Sequence, residues 1–133
     1  MGIIKAPQLA ACPAMDGLPD EALQQIAAYF QVLSEPTRLK ILNLLRSGER
    51  NVGESAELSG HTSANVSRHL TQLTKHGLVA RQSRGTSVYY RIADDSVYAL
   101  CDLVCGNIAR QFERSARHHD AFVRPLGRAA ARK

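Results

Sequence analysis

The hydrophobic period of this chain changes once, at Gly77, and the place of that change restricts the fold more than any other feature. Before it, Val66, Leu70 and Leu73 recur four and then three residues apart, which is one narrow stripe on a helix. After it, Val79 to Arg84 and Ser87 to Ile92 alternate with a period of two around Gly85. That pattern predicts a β-hairpin with Val88, Tyr90 and Ile92 on one face. Upstream, Asn51 with Glu54 three residues on predicts a capping-box-like helix start, and Gly60 stops that helix after about two turns. Thr62 or Ser63 then caps the helix that carries the stripe. Two short helices joined by a glycine-containing turn and followed by a hairpin make a winged helix-turn-helix. The fold class is therefore mainly α with a small β-hairpin.

The flanking segments complete one domain. Pro19 opens a helix in which Leu23, Ile26, Ala27, Phe30 and Leu33 keep helical spacing, with Asp20 and Glu21 where the helix dipole favours anions. Ser34 and Pro36 restart the chain, and Leu39, Ile41, Leu42, Leu44 and Leu45 make a second helix, apolar on most sides and placed mid-core. Asp94 or Asp95 caps a last helix on which Val97, Leu100, Cys101, Val104, Cys105, Ile108 and Phe112 fall within about 140° of arc. The expected organisation is a loose arm over 1–18, the winged domain over 19–117 and a mobile basic tail over 118–133.

Charge is distributed unevenly along this frame. The chain carries +5 overall, and residues 61–91 alone hold Arg68, Lys75, Arg81, Arg84 and Arg91 with no carboxylate. Solvated faces normally mix signs, so this block predicts a polyanion partner. The carboxylate-free window coincides with the second short helix and the hairpin. In a winged helix-turn-helix that helix enters the major groove of double-stranded DNA. The candidate contacts on it are Ser63, Asn65, Ser67, Arg68, His69, Gln72 and Lys75, with His69 reading as a phosphate or a packing contact. Arginine donates twice to guanine, asparagine pairs with adenine, and serine suits phosphates. On the wing, Arg81, Arg84 and the Gly85 backbone would reach a phosphate or the minor groove. His61 and His76, at helix ends, read as caps or solvent contacts, and His118-His119 as a solvated tail.

Other classes find little support. No apolar run approaches the ~18–20 residues that cross a bilayer, so a soluble, cytoplasmic protein without a membrane partner is expected. There is no phosphate-binding glycine loop, Gly-x-Ser-x-Gly or His-Glu-x-x-His, so no enzyme is expected. A purely architectural DNA-binding protein would bind with steep salt dependence and little sequence preference.

Several segments in order resemble the ArsR/SmtB family of dimeric winged-helix repressors. Leu33-Ser34-Glu35-Pro36-Thr37-Arg38-Leu39-Lys40-Ile41-Leu42 is similar to its second helix, and Ser63-Ala64-Asn65-Val66-Ser67-Arg68-His69-Leu70 to its recognition helix. Gly77-Leu78-Val79 to Tyr90-Arg91-Ile92 resembles its wing, so the resemblance covers about residues 20–112. It implies a homodimer joined through the first and last helices that leaves operator DNA when an inducer binds. The family's metal sites do not carry over. Asn51-Val52-Gly53-Glu54-Ser55 has no thiol where some members have Cys-x-Cys. Of the last-helix zinc pattern only Asp94 fits, with Ser96, Asn107 and Arg110 at the other positions.

What remains for an inducer is thiol chemistry. Cys101 and Cys105 lie four apart on one helix, about 6 Å from each other on the same side. Cys12 precedes Pro19 by at most ~23 Å of extended chain and would fold back onto the last helix of its own or the partner subunit. Three thiolates suit arsenite or antimonite, or another soft thiophilic ion; closed zinc would need a fourth ligand. Two further readings stand beside this one. The thiols form a disulfide or persulfide switch, or they are small buried hydrophobes that only pack.

Overall fold

The computed structural model describes residues 15–131, and the side chains of 15–117. A 3-10 turn at Met15–Gly17 precedes α1 (Asp20–Val32), which Pro19 caps in an extended conformation with Asp20 and Glu21 in the first turn. Helix α2 (Pro36–Leu45) starts at Glu35, whose carboxylate accepts from the amides of Thr37 at 2.8 Å and Arg38 at 3.2 Å, with proline at the first helical position. There follow β1 (Arg50–Asn51), α3 (Val52–Ser59), α4 (Ser63–Lys75), β2 (Val79–Arg84), β3 (Ser87–Ile92) and α5 (Ser96–Ala131).

The expected hairpin pairs Val79 with Ile92 through to Arg84 with Ser87. Gly85 opens its two-residue loop at φ 62°, a conformation glycine adopts without strain. A third strand joins it that the sequence pattern did not announce: β1 pairs Arg50 with Tyr90 and Asn51 with Tyr89, giving the antiparallel order β1-β3-β2.

The core lies among α2, α3, α4 and this sheet. Ile41, Leu42 and Leu45 from α2 meet Val66, Leu70 and Leu73 from α4, with Ala56, Leu78, Val79 and Tyr90 closing the space. Leu39 on α2 is exposed and Leu44 half-buried, so this helix turns one side to solvent rather than lying wholly inside. Lys40 reaches across to donate to the Ser59 carbonyl at 2.8 Å, placing a cation at the C-terminal end of α3, where the helix dipole favours it.

The chain divides into two compact units, the first ending at Ala93 and the second beginning at Asp94. The second is α5, whose first amide, on Ser96, donates to the Asp94 carboxylate at 3.0 Å. α5 also corrects an expectation, because it continues as helix to Ala131 across most of the segment read as a mobile tail from 118. The arm read over 1–18 lies outside the described residues up to position 14. No helix among the described residues is long and apolar enough to cross a membrane.

Candidate nucleic-acid interface and thiol pair

Three local devices set the ends of α3 and the start of α4. Asn51 and Glu54 form a reciprocal capping box, the Asn51 side chain accepting from the Glu54 amide at 2.8 Å and the Glu54 carboxylate from the Asn51 amide at 2.9 Å. Gly60 ends α3 in the left-handed region at φ 78°. The Thr62 hydroxyl then accepts from the Asn65 amide at 3.1 Å and caps α4.

With α4 fixed by its buried residues, its other side faces solvent. Ser63, Arg68 and Lys75 are exposed, while Asn65, Ser67 and Gln72 are half-buried. The Arg68 guanidinium donates to the Asn65 side-chain oxygen, so the two candidate base-reading groups are held together. His69 departs from the expected set. It is 6% exposed and belongs to the buried face, where Nδ1 accepts from Arg38 Nε at 3.2 Å and Nε2 lies 3.9 Å from the Glu35 carboxylate. Burial pushes its pKa below the ordinary value, against the opposing pull of Glu35. A neutral, enclosed imidazole tied to α2 is a packing group, not one directed at an outside phosphate.

On the wing, Arg81, Arg84 and Gly85 are exposed, as expected. Arg84 has company that sequence reasoning missed. Both its terminal nitrogens meet the Glu49 carboxylate, Nη2 at 2.9 Å from Oε2, and its guanidinium stands 4.9 Å from the centre of the Tyr89 ring. The stretch without acid in the sequence is thus not without acid in space.

The thiols fall on α5, one helical turn apart, Cys101 partly buried and Cys105 exposed. Among the described residues, no group of three or more His, Cys, Asp or Glu side chains is placed to hold a metal ion. Two sulfurs are what α5 itself supplies, and Cys12 lies outside the described residues. The same helix exposes large apolar side chains: Leu103 and Phe112 at 72%, Val104 at 47% and Ile108 at 44%. Phe30 on α1 is exposed too. Val97, on the same helix, is 2% exposed. Leu100 and Ile26 are half-buried.

Comparison with known proteins agrees with this geometry. The profile of the bacterial regulatory protein arsR family matches residues 35–81. The HTH-type transcriptional regulator KmtR of Mycobacterium tuberculosis is 31% identical over 120 residues, covering 89% of this chain and 92% of that protein. A probable mercury resistance operon repressor of Streptomyces lividans is 34% identical over 97 residues, covering 73% of this chain and 78% of that one. Among solved structures, the homodimeric winged helix-turn-helix DNA-binding domain of a possible ArsR-family regulator from Mycobacterium bovis superposes with a TM-score of 0.64 at 36% identity. That match covers 75% of this chain and 95% of the other. The reading arrangement of α3, α4 and wing, the profile match and the near full-length likeness to a regulator lead to one conclusion: the chain belongs to the arsR family of bacterial regulatory proteins and is a winged helix-turn-helix transcriptional repressor.

Proposed function

We propose that two copies of this chain bind a double-stranded operator and release it when a thiophilic ion binds Cys101 and Cys105, with Cys12 as third thiolate. The observation that carries the DNA half is the outer side of α4: Asn65, Arg68, Gln72 and Lys75 point away from the core beside an exposed cationic hairpin. Asn65 and Arg68 read base edges, Ser63, Ser67, Gln72 and Lys75 support them, and Arg81, Arg84 and the Gly85 backbone meet flanking phosphates. Homodimerisation is supported by the exposed apolar side chains of α5 and by the homodimeric domain from Mycobacterium bovis.

The inducer half rests on two thiols a turn apart on α5. Thiolates select soft ions over calcium or magnesium. Among the described residues no His or carboxylate joins the two sulfurs in a group placed to hold a metal ion, so trivalent arsenic or antimony fits better than zinc, which would be left a ligand short. The likeness to a mercury resistance repressor supports the soft-ion class. Release follows from linkage, since an ion that prefers the DNA-incompetent dimer loosens DNA by the factor with which DNA loosens the ion.

The test is an anisotropy titration of protein bound to an operator selected from a random duplex library. Arsenite should release wild-type protein, while Cys101→Ser and Cys105→Ser should keep DNA affinity and lose release, and Cys12→Ser should respond weakly. If all three variants release DNA as the wild type does, the thiols only pack and the inducer binds elsewhere.

A further inference from the structure

The wing carries an ion pair that spans the chain. Glu49, immediately before β1, and Arg84, the last residue of β2, meet in a two-pronged contact. Arg84 also donates to the Gln82 side chain at 3.2 Å and lies against the Tyr89 ring. The β1–β3 and β3–β2 pairings bring these residues together across 35 positions of sequence. Neither is enclosed, with 45% of the Arg84 side chain and 34% of the Glu49 side chain exposed.

A guanidinium fork accepts a carboxylate or a phosphate in the same bidentate geometry. Glu49 therefore presents to Arg84 two oxygens of the kind a nucleic-acid backbone offers. It is also the acid that strand pairing adds to a hairpin whose own sequence holds none. Resting on the reading of the wing as a DNA contact, we propose that Glu49 occupies on Arg84 the place of a backbone phosphate and acts as a built-in competitor that lowers affinity for DNA. Both groups are open to solvent and salt, so a phosphate can take the place of the carboxylate on the fork, and the displaced charge is then left beside the polyanion. The Arg84 hydrogen bonds hold the Glu49 carboxyl below the usual carboxylate range, with Arg91 adding to the effect, so it stays charged wherever DNA binding is measured. The Tyr89 ring and Gln82 keep the guanidinium in place after the exchange.

The experiment measures binding of the full chain to a random-sequence duplex over a series of potassium chloride concentrations, because a phosphate contact carries no sequence information. Glu49→Gln should bind about three- to tenfold more tightly than wild type, with a salt slope steeper by up to about one unit. Arg84→Ala should bind more weakly, and the double variant should match Arg84→Ala alone. Unchanged or weaker binding by Glu49→Gln overturns the competition, as does a gain that persists without Arg84, since that would be long-range charge removal. Failure of the wild type to bind any duplex takes the DNA reading down as well; the other two outcomes leave that reading standing.

Discussion

Arg38 Nε donates to His69 Nδ1 across 3.2 Å, tying the first turn of α2 to the buried face of α4. The same guanidinium donates through Nη1 to the carbonyl of Val32, the last residue of α1, at 3.3 Å. One side chain thus fastens the end of α1 and the middle of α4. Because Nδ1 accepts, the ring proton sits on Nε2, facing Glu35.

Acid should loosen this joint. His69 has its pKa pushed down by burial, so between that value and the ordinary one near 6.5 the unfolded chain binds the extra proton. Its contribution to stability is full above about pH 6.5 and is lost as pH falls through the depressed value. Protonation would also set a donor on Nδ1 against Arg38. The thermal midpoint should therefore drop between about pH 7.5 and 5.5 in the wild type, and drop less in His69→Gln, which accepts from Arg38 without titrating. Equal drops would remove His69 as the cause. Glu35, held low by the Arg38 and Thr37 amides despite opposing desolvation, contributes only in a more acidic window.

Arg38→Ala leaves the enclosed His69 nitrogen and the Val32 carbonyl without this donor, and should cost about 1–3 kcal/mol in urea denaturation. Arg38→Lys should recover little of that loss, because one ammonium does not reproduce two directed N–H groups.

Asn65→Ala and Arg68→Ala should each reduce discrimination between operator and random duplex by about 1–3 kcal/mol, read by competition anisotropy. Since Arg68 already donates to Asn65, the double variant should lose less than the two losses added together. Arg81→Ala should weaken both duplexes alike and flatten the salt slope by about one unit.

Ile108→Asp places a charge among Val104, Leu103 and Phe112 on α5. Burying it unpaired between two copies costs several kcal/mol, so sedimentation at micromolar concentration should show monomer. A variant that remains dimeric would put the interface elsewhere.

Gly60→Ala should destabilise the protein by about 1 kcal/mol through conformation alone, since the residue sits at φ 78° and an added Cβ meets nothing within 4 Å. A thermal melt checks it.

Local signals were the legible ones. The Asn51–Glu54 box, Gly60, Thr62 and the change of period at Gly77 each act within a few residues, and each stands where sequence spacing put it. For His69 the sequence offered a phosphate contact or packing, and the structure takes the packing side. His69 lies three after Val66 and four before Leu73, squarely on the apolar stripe. β1 and the Glu49–Arg84 pair were not legible, because two residues make no period and a partner 35 positions away leaves no local trace. The helix from 118 to Ala131 was hidden by Pro125 and Gly127, which ordinarily mark irregular chain. The thiols could be placed on their helix, but the arm with Cys12 lies outside the described residues.

Asn51 ends β1, pairs with Tyr89 and caps α3, with its backbone carbonyl accepting from the Ser55 hydroxyl at 3.0 Å. Strand and helix therefore share a residue, and no spacer lies between them to serve as a hinge. In the proposed DNA contact, hairpin and α4 would therefore move over a groove together, so a tilt that improves one contact is felt at the other.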